Sequence, residues 1–91
     1  MAKVVWLRPA IVEIDQIAAY VRVFDPTAAE RLAASLYALG ESLSEFPNRG
    51  RPASNGAREL VTLRPYIIRY LVLGDEVLIL RVRHGARRPD E

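Results

Sequence analysis

An α+β domain ordered β-α-α-β-β-β, with a two-helix antiparallel hairpin packed on a mainly antiparallel four-stranded sheet, follows from three features of the sequence. Between residues 10 and 46 apolar side chains recur at spacings of three and four, the period of a helix face. β-rich runs lie before and after that stretch, and the last two are joined by Gly74-Asp75, a connection typical of a tight hairpin. At 91 residues, with 51% hydrophobic and 26% charged side chains, residues 1–91 have the size and composition of one packed domain.

Residues 3–8 (Lys-Val-Val-Trp-Leu-Arg) are β-branched and aromatic and are stopped by Pro9, so they read as a short, mostly buried strand. Pro9 can open a helix at its first position, and Ala10, Ile14, Ile17, Val21 and Phe24 draw one stripe down it. Asp25-Pro26 repeats the start signal: the carboxylate accepts from free backbone amides, and proline fits where no donor is needed. The second stripe is Ala29, Leu32, Leu36, Leu39, Leu43 and Phe46, ending before Pro47. Gly40 inside it costs about 1 kcal/mol relative to alanine, which so long a stripe absorbs. Two striped helices with so short a link form an antiparallel hairpin, and their aromatics Tyr20, Phe24, Tyr37 and Phe46 are expected in packing. Residues 47–57, with two Pro, two Gly and no large apolar side chain, are loop. Residues 58–63 alternate as a strand that Arg64-Pro65 interrupts, and Tyr66–Leu73 and Glu76–His84 are the last two strands.

The hairpin also assigns side chains to faces. With Leu73 opposite Glu76, one face holds Ile67, Arg69, Leu71, Leu73, Leu78, Leu80, Val82 and His84. The other holds Tyr66, Ile68, Tyr70, Val72, Val77, Ile79, Arg81 and Arg83. Each has six apolar or aromatic members of eight, so neither reads as a wet face and the count does not choose the one the helices take. Two helices, each about 10 Å wide, cover one side of such a sheet. The other side then needs a second polypeptide, an identical subunit, or the chain's own arginine stems and C-terminal tail. An amphipathic helix or strand of a partner is the working expectation.

Charge is uneven. Residues 1–48 carry four basic side chains against six acids, residues 49–91 nine against five, and twelve of the thirteen basic residues are arginine. Arginine favours bidentate pairing with carboxylate or phosphate, so an anionic partner is expected at the C-terminal half. Residues 81–88 (Arg-Val-Arg-His-Gly-Ala-Arg-Arg) hold four arginines and the single histidine without one acid. For RNA cleavage, His84 would serve as acid or base with Arg69, Arg83 and Arg87 stabilising the phosphorane charge. The bland readings are a strand-end histidine and a solvated basic rim.

With no cysteine and one histidine, thiolate zinc sites and multi-histidine metal sites are excluded, and no cofactor is implied. There is no Gly-rich phosphate loop, no nucleophile elbow and no helix free to read a major groove, so sequence-specific DNA binding by this chain is not expected. Cysteine-free composition suits the cytoplasm, and no apolar run nears the roughly 20 residues that span a bilayer.

One ordered set of residues carries a family likeness. Trp6-Leu7-x-Pro9-Ala10, Ile17-x-x-Tyr20-Val21, Asp25-Pro26-x-Ala28-Ala29, Leu43-x-x-x-Pro47-x-x-Gly50-Arg51-Pro52, Arg58-Glu59-Leu60, Tyr66-Ile67-Ile68-x-Tyr70 and Arg83-His84-Gly85-Ala86-Arg87-x-Pro89 together resemble the ParE/RelE superfamily of bacterial toxins from type II toxin–antitoxin modules, the ParE branch more closely. The resemblance implies two helices on an antiparallel sheet and neutralisation by a ParD-like antitoxin whose C-terminal segment wraps the toxin. ParE-like members poison DNA gyrase, and RelE-like members cut messenger RNA on the ribosome without a metal. Ile67 stands where the RelE pattern has arginine, and the chain ends Arg88-Pro89-Asp90-Glu91 without the RelE-type tyrosine.

A gyrase-binding toxin is therefore the favoured reading, a ribosome-dependent nuclease the alternative, and a degenerate interaction domain the third. The residues expected to meet the target are Arg81, Arg83, His84, Arg87 and Arg88. Those expected to meet the antitoxin are Ile67, Arg69, Leu71, Leu78, Leu80 and Val82. No catalytic residue is assigned on the gyrase reading.

Overall fold

Two strands formed by the final hairpin organise everything else. The computed structural model describes residues 1–61 and 63–85. In chain order the elements are β1 (Lys3–Trp6), α1 (Arg8–Arg22), α2 (Pro26–Glu41), β2 (Arg51–Pro52), β3 (Arg58–Leu60), β4 (Tyr66–Leu73) and β5 (Glu76–His84). The sheet runs β1-β5-β4-β3-β2; β1 lies parallel to β5 and every other pair is antiparallel. Both strands of the hairpin have the predicted bounds, and Gly74 supplies the positive φ (61°) that its turn needs.

The α+β class stands, but the sheet has five strands rather than four. The additional one, β2, is two residues inside the stretch read as loop, paired with Arg58 and Glu59 of β3. So short a bridge has no period to read. Pro52, which offers no N–H, blunts that outer edge. β3 also stops at Leu60, three residues before the expected end.

Helix α2 begins as its sequence dictates: the Asp25 side chain accepts from the Ala28 N–H at 3.1 Å, with Pro26 at the first position. It passes at Glu41 into a 3-10 turn, Ser42–Ser44, that buries Leu43. On α1 the deepest residues are Ala10, Ile14 and Ala18, an unbroken i, i+4, i+8 row. Such a row winds about 40° around the axis at each step, away from the predicted 4-3-4-3 stripe. The small side chains of Ala18 and Ala29, both buried, let the two helices approach. In consequence Tyr20 and Phe24, expected in packing, are 70% and 72% exposed, and Phe46 is exposed as well. Only Tyr37 packs as expected, its ring centroid 4.8 Å from that of Trp6. The same indole explains Gly40: a Cβ there would collide with Trp6, whose Nε1 donates to Glu41 at 2.8 Å.

Ala10, Ile14, Leu36 and Leu43 meet Leu60, Ile68, Tyr70, Val77 and Ile79 in one core, so the helices cover the face that holds Ile68 and Tyr70. The predicted register holds from Leu73↔Glu76 to Tyr70↔Ile79 and then shifts by one, with Arg69↔Arg81, Ile68↔Val82, Ile67↔Arg83 and Tyr66↔His84. Leu80 is the extra residue of a β-bulge. Strict alternation would have aimed Arg81 and Arg83 at the helices, a costly burial of charge. The bulge instead brings Val82 into the core at 2% exposure and registers the two arginines with Arg69 and Ile67 on the opposite face. Val82 and His84 thus belong to the helix side, contrary to the face assignment from the sequence. Among the described residues no helix is long and apolar enough to cross a membrane.

Candidate functional site

β1 ends at Trp6, opposite Ile79, and the chain then turns into α1. From residue 80 onward β5 therefore has no strand neighbour on that side among the described residues. The flank of α1 that carries Glu13, Ile17, Tyr20 and Val21 at helical spacing faces this free edge. A groove of about 610 Å³ lies between them, closed at the β4 side by Tyr66 and lined on β5 by residues 81–84. A bay of about 710 Å³ elsewhere is lined, among the described residues, by Glu45, Phe46, Pro47, Asn48 and Arg49 of one loop.

Glu13 takes the place that a strand would occupy. Its Oε1 accepts the Val82 N–H at 2.7 Å, and its Oε2 accepts from Arg81 Nε and Nη2 at 2.9 and 2.5 Å. Those hydrogen bonds raise the pKa of Arg81 further above its ordinary value, so its guanidinium is permanently charged and already engaged. His84 packs edge-on against Tyr66, with centroids 5.5 Å apart. Arg83 and His84 stand side by side in the lining.

The other side of the sheet is organised differently. Glu59 sits between Arg69 (3.1 Å) and Arg51 (3.4 Å), and Arg69 also donates to the Ser54 carbonyl at 2.8 Å. The buried Tyr70 hydroxyl donates to the Pro47 carbonyl and accepts from the Gly50 N–H, both at 2.8 Å, which pins the loop that carries Arg49 and Arg51. Val5, Ile67, Leu71, Leu73, Leu78 and Leu80 take no part in the helix-side core, and Leu73 is 54% exposed. They form an apolar sheet face.

Of the residues expected at the target surface, Arg81, Arg83 and His84 come together at the end of β5, while Arg87 and Arg88 lie outside the described residues. Of the nuclease set, Arg69 and His84 fall on opposite faces of the sheet, so the set does not converge among the described residues. Of the antitoxin set, Ile67, Arg69, Leu71, Leu78 and Leu80 share the open face. Val82 does not, because the bulge turns it inward. Glu13, Tyr20 and Tyr66 were not picked out. An acid on the flank of a core-facing stripe was the available signal for Glu13, since such a carboxylate must find a partner.

The sheet thus has one face packed against the helices, one apolar face outside that core, and a charged groove at its end. Residues 4–89 match the family model described as the ParE toxin of type II toxin-antitoxin system, parDE. The chain is 46% identical over 87 residues to Toxin RelE2 of Caulobacter vibrioides, covering 96% of this chain and 99% of that one. It is 42% identical over 64 residues to Toxin RelE1 of the same organism, covering 67% and 69%. Among solved structures, a chain of the chromosomal ParDE TA system from P. aeruginosa superposes with a TM-score of 0.82 at 27% identity, covering 92% of this chain and 96% of that one. The chain belongs to the ParE toxin family of type II toxin–antitoxin systems.

Proposed function

We propose that this toxin arrests growth by binding and poisoning DNA gyrase, and that a ParD-like antitoxin silences it by covering the bare sheet face. The observation that carries the first half is the separation of Arg69 from His84 by the sheet, together with the engagement of Arg69 by Glu59. Metal-free RNA cleavage needs an acid, a base and free cations around one phosphate. Here one of the candidate cations, Arg69, is already paired with a carboxylate and stands across the sheet from His84. Binding a protein target requires no such convergence. The ParE family match and the likeness to a chain of a ParDE system support the same reading.

The antitoxin half rests on Ile67, Leu71, Leu78 and Leu80, with Val5 and Leu73 beside them: a contiguous apolar surface that the helices leave uncovered. Arg69, held by Glu59 on that face, gives it a charged border. The deciding experiment incubates the purified chain with gyrase and supercoiled plasmid, and in parallel with translating ribosomes. Accumulated double-strand cleavage with intact message is the expected result. The Caulobacter relatives carry the RelE name, and cut message with untouched gyrase would replace this reading by ribosome-dependent cleavage.

A further inference from the structure

Helix α1 has a second side that the fold leaves unused. Its buried row is Ala10, Ile14 and Ala18. At about 100° per residue, Val12, Gln16, Ala19 and Val23 lie about 140° to 200° round the axis from Ile14, pointing away from core and sheet. Val23, the C-cap residue, keeps helical dihedrals (φ −59°, ψ −32°) and so continues the row. All of them are exposed, Val12 at 41% and Val23 at 78%. Their spacings of four, three and four are those of a seam along which two helices pair. Asp15 and Arg22 flank the seam on one side; both are exposed, and neither forms an ion pair among the described residues. Tyr20 flanks it on the other, 70% exposed and stacked edge-to-face on Phe24 at 5.4 Å.

We propose that this side of α1 docks a second copy of the chain, α1 against α1, antiparallel about a two-fold axis. Self-complementarity selects that occupant. With the axis between Gln16 and Ala19, Val12 of each copy meets Val23 of the other, and the small Ala19 sits opposite Gln16. The same axis brings Asp15 of each copy beside Arg22 of the other, the flanking charge pairs that set partner and orientation in paired helices. An isologous interface makes each of these contacts twice. In a parallel pair Asp15 and Arg22 would stand about 10 Å apart in height, and neither charge would be matched. Because the seam points away from the sheet, both apolar sheet faces stay free for the antitoxin, and the inference does not depend on which target the toxin has. From Val12 to Val23 the seam is about 16 Å long. Such a strip falls short of the roughly 800 Å² per partner of a standard interface. The dimer is therefore weak, with a Kd of about 100 µM.

Sedimentation equilibrium of the purified chain from about 10 µM to about 1 mM tests the proposal on wild type, Asp15→Arg, Arg22→Asp and an equimolar mixture of the two variants. Both positions are exposed, so each variant should fold with the melting temperature of wild type. Wild type should dimerise, and more weakly as salt is raised. Each variant alone sets like charges at both crossings and should dimerise at least about fivefold more weakly. The mixture should regain the wild-type affinity, because one variant against the other restores both charge pairs. Calorimetric affinity for the antitoxin should stay within twofold of wild type in both variants. A wild-type chain that remains monomeric to about 1 mM would overturn the proposal. So would variants that dimerise as tightly as wild type, or a mixture no tighter than its components. A monomeric wild type whose variants lose antitoxin affinity would give this side of α1 to the antitoxin instead.

Discussion

Glu13 accepts three hydrogen bonds from two adjacent residues of β5, and their energies differ in kind. The Arg81 side chain is 40% exposed, so that ion pair contributes at most about 1 kcal/mol. The Val82 N–H lies at a half-buried strand edge, and leaving it unmet costs about 1–3 kcal/mol. Glu13→Ala should therefore lower the melting temperature by roughly 10 °C, at about 4–8 °C per kcal/mol for a domain this small. Glu13→Gln, which keeps an acceptor oxygen, should lose less than half as much. Equal losses by thermal melting would show that charge, not the edge hydrogen bond, is what Glu13 supplies.

Tyr37 gives a second residue-scale test. Burial, and then the Asp15 carboxylate, raise its phenol above the ordinary value. The folded state thus holds this proton more tightly than the unfolded chain does. The resulting stability is complete below the unfolded pKa of about 10 and is lost as pH rises through the folded value. Between pH 9 and 12 wild type should lose more stability than Tyr37→Phe, as read from paired urea melts; parallel losses would contradict the assignment. Among single residues the sequence was informative where chemistry is local. The Asp25 cap was plain from Asp-Pro, whereas the Trp6–Gly40 contact joins residues 34 positions apart in chain order, which no local pattern reveals.

At the scale of elements, the bulge at Leu80 decides which side chains each face presents. Deleting Leu80 would leave Arg81 opposite Arg69 and Val82 opposite Ile68 in a regular ladder, so Val82 should stay in the core and the melting temperature should fall by no more than about 10 °C. A much larger fall would mean that the bulge itself, rather than the pairing on either side of it, holds Val82 in place.

Both hairpin strands, both helices and the order of every element but β2 were legible, because period and turn chemistry are written in consecutive residues. The bulge was not: Arg81-Val82-Arg83 alternates as well in one register as in the other, and only the cost of burying arginine separates the two. The rotation of α1 escaped notice for a related reason. Counting large apolar residues favoured Phe24 over Ala18, while close helix packing favoured the alanine. The candidate site was legible in part. Ile67, Leu71, Leu78 and Leu80 were placed on one face correctly, and Val82 was carried to the wrong side by the missed bulge.

At the scale of the whole molecule, one sheet presents two unlike sides. The helices complete a core on one side and frame a charged groove at its end, and the other side carries Val5, Ile67, Leu71, Leu73, Leu78 and Leu80 outside that core. Small domains have little stability in reserve, so a partner that binds only the folded toxin should also raise its melting temperature. The most direct test is calorimetric titration of the toxin with its antitoxin, comparing wild type with Leu71→Lys/Leu78→Glu. These two residues face each other across β4 and β5, so the paired charges preserve a favourable cross-strand contact while removing the apolar surface. The account predicts a folded variant whose antitoxin affinity falls at least a hundredfold. A folded variant that binds the antitoxin as tightly as wild type would contradict it.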